Sequence, residues 1–139
     1  MIKRTPLDAI FSDVIRESWD WTCAASGIVF SDRKGRDVHC SHFVSRINLA
    51  TRWYPDNAFC LSASMHKRFS ENPDEHTAFV KKILGDVRYG ELIARKKKIV
   101  RYRKPDKQAM QAHYKAELER LRDMRMAGHV GYIGVLAYD

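Results

Sequence analysis

The sequence predicts an α+β domain on three observations. Apolar residues recur at helical spacing over 6–20 and again over 106–126, a short β-like segment lies at 27–40, and 139 residues suit one modest core rather than two. Apolar residues make up 45% of the chain and charged residues 30%, a balance that permits a packed interior and argues against wholesale disorder. A single domain over 1–139 is therefore expected, built as an N-terminal helix at 6–20, a core over 23–85 and a basic helical extension over 86–139.

Taken in order, Thr5, Pro6 and Asp8 supply a capping hydroxyl, a residue that needs no N–H and an early acid, so a helix starts there. Leu7, Ile10, Phe11, Val14, Ile15 and Trp19 give it one apolar face. Ile28-Val29-Phe30, a polar run from Ser31 to Gly35, and Val38-His39 read as a β-hairpin over 27–40. Ser41 to Phe59 has no clean period and contains Pro55, Asp56 and Asn57, so it reads as an ordered loop. Leu61 to Phe69 has helix-compatible spacing. Asn72-Pro73-Asp74-Glu75 then restarts a helix with a buried stripe of Ala78, Phe79, Ile83 and Leu84, which Gly85 can end. A further helix from Asp86 to about Val100 grades into a basic stretch, Pro105 breaks it, and a last helix spans Asp106 to Ala127 before Gly128. The tail Val130 to Tyr138 is β-like in composition, and the pattern gives it no place.

Charge narrows the partners. Twenty-five Lys and Arg against 17 Asp and Glu give a net charge of +8, which attracts polyanions and makes nucleic acid the first candidate. Met1 to Arg4 leads into an amphipathic stretch rather than an apolar leader, and no apolar run approaches membrane-spanning length, so a cytoplasmic protein without a membrane partner is expected. Cys23, Cys40 and Cys60 are odd in number and scattered, and free thiols are the default reading.

Chemistry concentrates in Val38-His39-Cys40-Ser41-His42-Phe43, Asn57 and His66. Phosphodiester hydrolysis needs a base to activate water and a divalent cation to stabilise charge on the phosphate, and histidines brought back by a loop and a helix can supply both. His42, neutral near physiological pH, suits the base, and His39 and His66 suit a metal.

The stretch from Cys23 to Gly85 resembles HNH (ββα-metal, or His-Me finger) endonucleases, most closely the phage recombination nucleases of the NinG type. Ser41-His42-Phe43-Val44-Ser45-Arg46 matches that family's Gly-His-Phe-x-x-Arg element, and Trp53-Tyr54-Pro55-Asp56-Asn57 matches its Pro-x-Asn loop. Ser62-Ala63-Ser64-Met65-His66 occupies its Cys-x-x-Cys-Asn element, with no gap from His39 to Glu75. The resemblance implies a ββα-metal core flanked by helices and a metal-dependent DNA endonuclease, associated with phage or recombination and placed in the host cytoplasm if phage-encoded. It implies His42 as general base, Asn57 as the brace of the catalytic loop, Arg46 as a phosphate contact, and His39 and His66 as metal ligands. Arg46 could equally be a surface ion pair. The metal could be Mg²⁺, Mn²⁺, Ni²⁺ or Zn²⁺, and two histidines suit Mg²⁺ least.

The chain departs from the family in two places. The four metal-binding cysteines fall at Cys23, Ser26, Ser62 and Met65, so no Cys₄ zinc is expected. A pattern like that of the nuclease colicins places further ligands at Ser41 and Ser70, and serine is the weaker ligand. A catalytically inactive DNA-binding protein on a degenerate HNH scaffold, or an RNA-directed nuclease, are the alternatives.

A second signal is the basic stretch from Arg95 to Lys107. Lys96, Lys97, Lys98, Arg101 and Arg103 could each neutralise a phosphate, and Tyr102 could stack on an exposed base. In the last helix Met110, Tyr114, Leu118, Leu121 and Met124 to Met126 form an apolar stripe near heptad spacing, expected to pack on the core, with a homodimer contact as the alternative.

Overall fold

Thr5 opens the first helix, α1 (Pro6–Ser18), through a reciprocal cap. Its hydroxyl accepts from the Asp8 amide, and the Asp8 carboxylate accepts from the Thr5 amide at 2.8 Å. Leu7, Phe11, Val14 and Ile15 bury one stripe of α1 against Met110, Tyr114, Leu118 and Leu121 of the last helix, α5 (Lys104–Met126). Each such side chain contributes roughly 1.5–3 kcal/mol on leaving water. Met110, Tyr114, Leu118 and Leu121 are thus covered within the chain itself, whereas Met126 at the end of α5 is exposed.

The computed structural model describes residues 2–34 and 36–138, and these form an α+β arrangement of five helices and one two-stranded antiparallel sheet. The strands are β1 (Val38–His42) and β2 (Ala58–Ser62), with Cys40 opposite Cys60 and His42 opposite Ala58. Between them lie the short α2 (Leu49–Arg52) and a 3-10 turn at Pro55–Asn57. After β2 the chain turns directly into α3 (Ala63–Glu71), capped by Ser62, and then α4 (Pro73–Lys96). The order strand, loop, strand, helix places the sheet between two helical layers. Ala58 and Cys40 face the α1 and α5 side, whereas Phe59 and Leu61 face Phe69, Val80 and Leu84 of α3 and α4. No helix among the described residues is long and apolar enough to cross a membrane.

The structure corrects the strand assignment. Residues 27–40 do not form a hairpin: Val29 makes only an isolated bridge to Thr22, and β1 pairs instead with 58–62. Ile28 and Val29 are 50% and 63% exposed, so that segment has no apolar face to bury. The expected loop 41–59 and helix 61–69 shift accordingly, since all five residues of β2 are buried. A short run covered on both faces carries no alternation to read. The helical expectations fare better. Gly85, at φ 76° and ψ 172°, breaks α4 into two helical halves, and α5 ends before Gly128 at φ 96°.

The tail forms no strand. It passes from the end of α1 to the middle of α5, with Ile133 donating to the Ser18 carbonyl at 2.8 Å and Leu136 donating to the Glu117 carboxylate at 2.7 Å. Tyr132 packs on Trp19 at 4.4 Å between ring centroids. Ile133, Val135 and Tyr138 pack partly against the core, whereas Val130, Tyr132 and Leu136 are exposed.

Asp8 joins these parts. Its side chain is 5% exposed and accepts two hydrogen bonds from Arg52, at 3.0 and 2.6 Å, and one from the Trp53 indole at 3.0 Å. Burial alone would raise its pKa, but the bonds from Arg52 and Thr5 outweigh it and hold the carboxyl at about 2. Asp8→Asn leaves Arg52 buried without its counter-charge, and the expected loss in denaturant unfolding near neutral pH is roughly 3–5 kcal/mol. A carboxyl depressed from 3.8 to about 2 stabilises the fold above the higher value and loses that contribution as pH falls through the interval. Wild type should lose roughly 2 kcal/mol across that window, and Asp8→Asn should not. An unchanged midpoint, or the same acid loss in both proteins, removes Asp8 from this role.

Candidate functional site

The loop between the strands is clamped by Asn57, which is fully buried. Its side-chain oxygen accepts from the Val44 amide at 2.7 Å, and its amide nitrogen donates to the carbonyls of Val44 at 3.0 Å and Thr51 at 3.1 Å. One side chain therefore satisfies both ends of the turn that follows β1, the bracing role expected of it.

His39, on β1, and His66, on α3, stand 27 residues apart in sequence and 2.9 Å apart between their Nδ1 atoms. The partner of the other ring nitrogen fixes the tautomer. His39 Nε2 donates to the Arg36 carbonyl at 2.7 Å, so the Nδ1 of a neutral His39 bears a lone pair. That lone pair is aimed at His66, which either donates to it or shares a cation with it. A backbone carbonyl on the far nitrogen is also the arrangement that orients imidazole ligands on metals. Burial, followed by the neighbouring His39, holds the His66 pKa below its usual range, which favours its neutral form. Ser41, which lies two residues from His39 and so on the same strand face, is buried, and its Oγ has no hydrogen-bond partner. Among the described residues no group of three or more His, Cys, Asp or Glu is placed to hold a metal ion. The donors that fit a divalent cation are thus two imidazoles, with a hydroxyl on the same strand face.

His42 lies elsewhere. Three residues from His39, it belongs to the opposite face of β1, with its ring 6.1 Å from that of Phe11 on α1. Its Nε2 donates to the Arg52 carbonyl at 2.9 Å, which leaves Nδ1 as the basic nitrogen. Burial lowers its pKa to about 4 despite that hydrogen bond, with nearby Arg46 adding to the effect, so the ring is neutral near physiological pH. Arg46 aims its guanidinium at Asp8, 3.6 Å away, without a hydrogen bond from its buried NH2.

The four positions where the family carries cysteines gather at one place. The Ser26 amide donates to Cys23 Sγ at 3.4 Å, and the Met65 amide donates to Ser62 Oγ at 3.3 Å. Burial would raise the Cys23 pKa, but hydrogen bonds from Ser26 and from the Ser62 amide bring it below the usual thiol value. Of these four positions, Cys23 alone carries a thiol. Cys23, Cys40 and Cys60 are all free thiols.

The basic stretch is joined to the same loop. Asn48 donates to the Lys96 carbonyl at 2.8 Å, and Arg95 donates to the Ala50 carbonyl at 2.7 Å while lying over the Tyr54 ring. Lys96, Lys97, Lys98, Arg101 and Arg103 are exposed. Tyr102 is half-buried edge-to-face against Trp53 at 5.9 Å, so its ring is engaged with the core.

The sequence pattern gives no role to His76, which lies on α4. It is half-buried and stacked on Phe69 at 4.9 Å between centroids, with Phe43 edge-on at 5.1 Å, and its Nε2 is buried without a partner. The available signal was Pro73, which folds α4 back beside α3.

Asn57→Ala leaves the Val44 and Thr51 backbone groups without their partners, and a loss of roughly 2–4 kcal/mol is expected, with faster hydrogen exchange at the Val44 amide. An unchanged exchange rate there would show that the loop closes without the clamp. No protein-family model, curated protein or solved structure matches this chain.

Proposed function

We propose that the chain is a metal-dependent nuclease acting on DNA. The reading rests most on one observation: the unit formed by β1, the Asn57-clamped loop, β2 and α3 sets His39 against His66 at 2.9 Å. The gathering of Cys23, Ser26, Ser62 and Met65 at the family's cysteine positions supports the same resemblance.

In this reading His39 and His66 hold the cation, Mn²⁺, Ni²⁺ or Zn²⁺ before Mg²⁺, with Ser41 the nearest hydroxyl on that strand face. The cation, when bound, supplies Lewis-acid stabilisation of charge on the phosphate and the leaving oxygen. His42 accepts the proton of the attacking water at Nδ1, its tautomer fixed by the Arg52 carbonyl. Arg52 is in turn held by Asp8, so the orientation of the base depends on a buried ion pair. Lys96, Lys97, Lys98, Arg101 and Arg103 hold the backbone of the nucleic acid.

A second reading, binding without cleavage, is favoured by the position of His42 on the strand face opposite His39, against Phe11. A cleavage assay separates the two. His42→Ala is expected to reduce metal-dependent cleavage by about a hundredfold to ten-thousandfold while metal content stays intact. A fully active His42→Ala enzyme sinks the base assignment, and a wild-type protein inert with every metal favours binding alone. His39→Ala and His66→Ala are expected to weaken metal binding, so that excess Mn²⁺ or Ni²⁺ restores part of the rate. Failure of excess metal to rescue either variant removes them as ligands.

Neutralising Lys96, Lys97, Lys98, Arg101 and Arg103 together is expected to weaken binding on every DNA sequence and to flatten its salt dependence, by about one in slope for each lost contact. Saturating DNA then restores the cleavage rate. An unchanged salt slope shows that these cations only face solvent.

A further inference from the structure

Beside the candidate loop, the surface combines two features that rarely share a place. Ile47 is 76% exposed, Leu49 37% and Ile99 102%, so Ile99 has its whole side chain in water. Leaving an isoleucine fully exposed forgoes the gain of burying it. These residues lie on one continuous surface. A shallow groove bounded by Phe43, Val44, Ile47 and Lys96 adjoins a second bounded by Ile47, Leu49, Lys98 and Ile99. The surface is rigidly founded, because the bonds from Asn48 to Lys96 and from Arg95 to Ala50 tie the loop to the end of α4.

Around the apolar residues stand Lys96, Lys97, Lys98 and Arg101, none of which pairs with a carboxylate among the described residues. The cations select a polyanion, and the isoleucines need an apolar surface within that polyanion. Nucleic acid offers one where bases are unstacked, and side chains of this kind insert at such steps. A lipid bilayer also combines anionic and apolar parts, but residues that bind it line a continuous helix face, whereas Ile47 and Ile99 sit on a loop and in the link between α4 and α5.

We propose that Ile47 and Ile99 form an apolar wedge within a cationic rim, which seats against unstacked bases and gives the protein a preference for distorted nucleic acid, bulged or branched, over uniform duplex. The proposal rests on the nucleic-acid reading above and names the form of its substrate.

The test compares the full chain with Ile47→Ser/Ile99→Ser, both sites being exposed and the fold checked by circular dichroism. Each protein is titrated, without divalent metal, into a labelled duplex and into the same duplex with a short unpaired bulge containing 2-aminopurine. Wild type is expected to bind the bulged DNA about tenfold more tightly and to change the 2-aminopurine fluorescence. The double variant is expected to lose that preference and the fluorescence change, while keeping its duplex affinity and salt slope. Equal preference in both proteins overturns the wedge. Wild-type binding to neither DNA overturns the nucleic-acid reading itself. Isoleucine-dependent binding to vesicles containing phosphatidylserine, with no bulge preference, overturns the wedge in favour of a membrane surface.

Discussion

The Asp8 carboxylate is the constraint on which most of the molecule depends. It caps α1, receives the Arg52 guanidinium through two hydrogen bonds and takes the Trp53 indole, so the start of the first helix and the loop between the strands are fixed to one buried charge. Trp53 passes the restraint on, since its carbonyl accepts from the Tyr114 hydroxyl of α5 at 2.5 Å. The Arg52 carbonyl passes it to His42. A buried charge is costly unless satisfied on every side, so the geometry that satisfies Asp8 allows little freedom to the elements that supply its partners.

Asn57 complements that node from within the loop. Asp8 fixes where the loop attaches, and Asn57 fixes how it turns, by bonding the backbone at Val44 and Thr51. Between them the segment from Phe43 to Asn57 is held although it contains only one turn of α-helix and one of 3-10 helix. Loops held in this way can present functional groups from a rigid base without belonging to the regular structure.

How far the sequence revealed this depended on whether a feature was local. Thr5, Pro6 and Asp8 announced α1 because capping acts within one turn, and Gly85 announced a break because its conformation is its own. The strands were hidden for the opposite reason. β2 is buried on both faces, so Ala58 to Ser62 lack the alternation that marks a half-buried strand, while Ile28 and Val29 look β-like yet remain exposed. At the site, the pairing of His39 with His66 was legible through motif spacing, and the tether between the basic stretch and the loop was not. A bond from Asn48 to Lys96 spans 48 residues and leaves no trace in composition. His76 was hidden likewise, because its partners Phe43 and Phe69 come from two other segments.

The net charge of +8 also divides unevenly. The ion pairs among the described residues are made by arginines: Arg16 with Asp13, Arg33 and Arg125 with Glu17 and Asp20, Arg46 and Arg52 with Asp8, Arg68 with Glu75, Arg88 with Asp56, and Arg120 with Glu117. Several of these have a further backbone contact, as where Arg125 donates to the Glu17 carbonyl at 2.7 Å and Arg120 to that of Gly134 at 2.7 Å. Planar guanidinium groups suit such multidentate positions, and their charge is paired with carboxylates of the same chain. Lys96, Lys97 and Lys98 have no such partner among the described residues and are exposed together at the end of α4. Their charge therefore reaches solvent beside the loop that Asp8 and Asn57 hold, because the bond from Asn48 to the Lys96 carbonyl ties that loop to the end of α4.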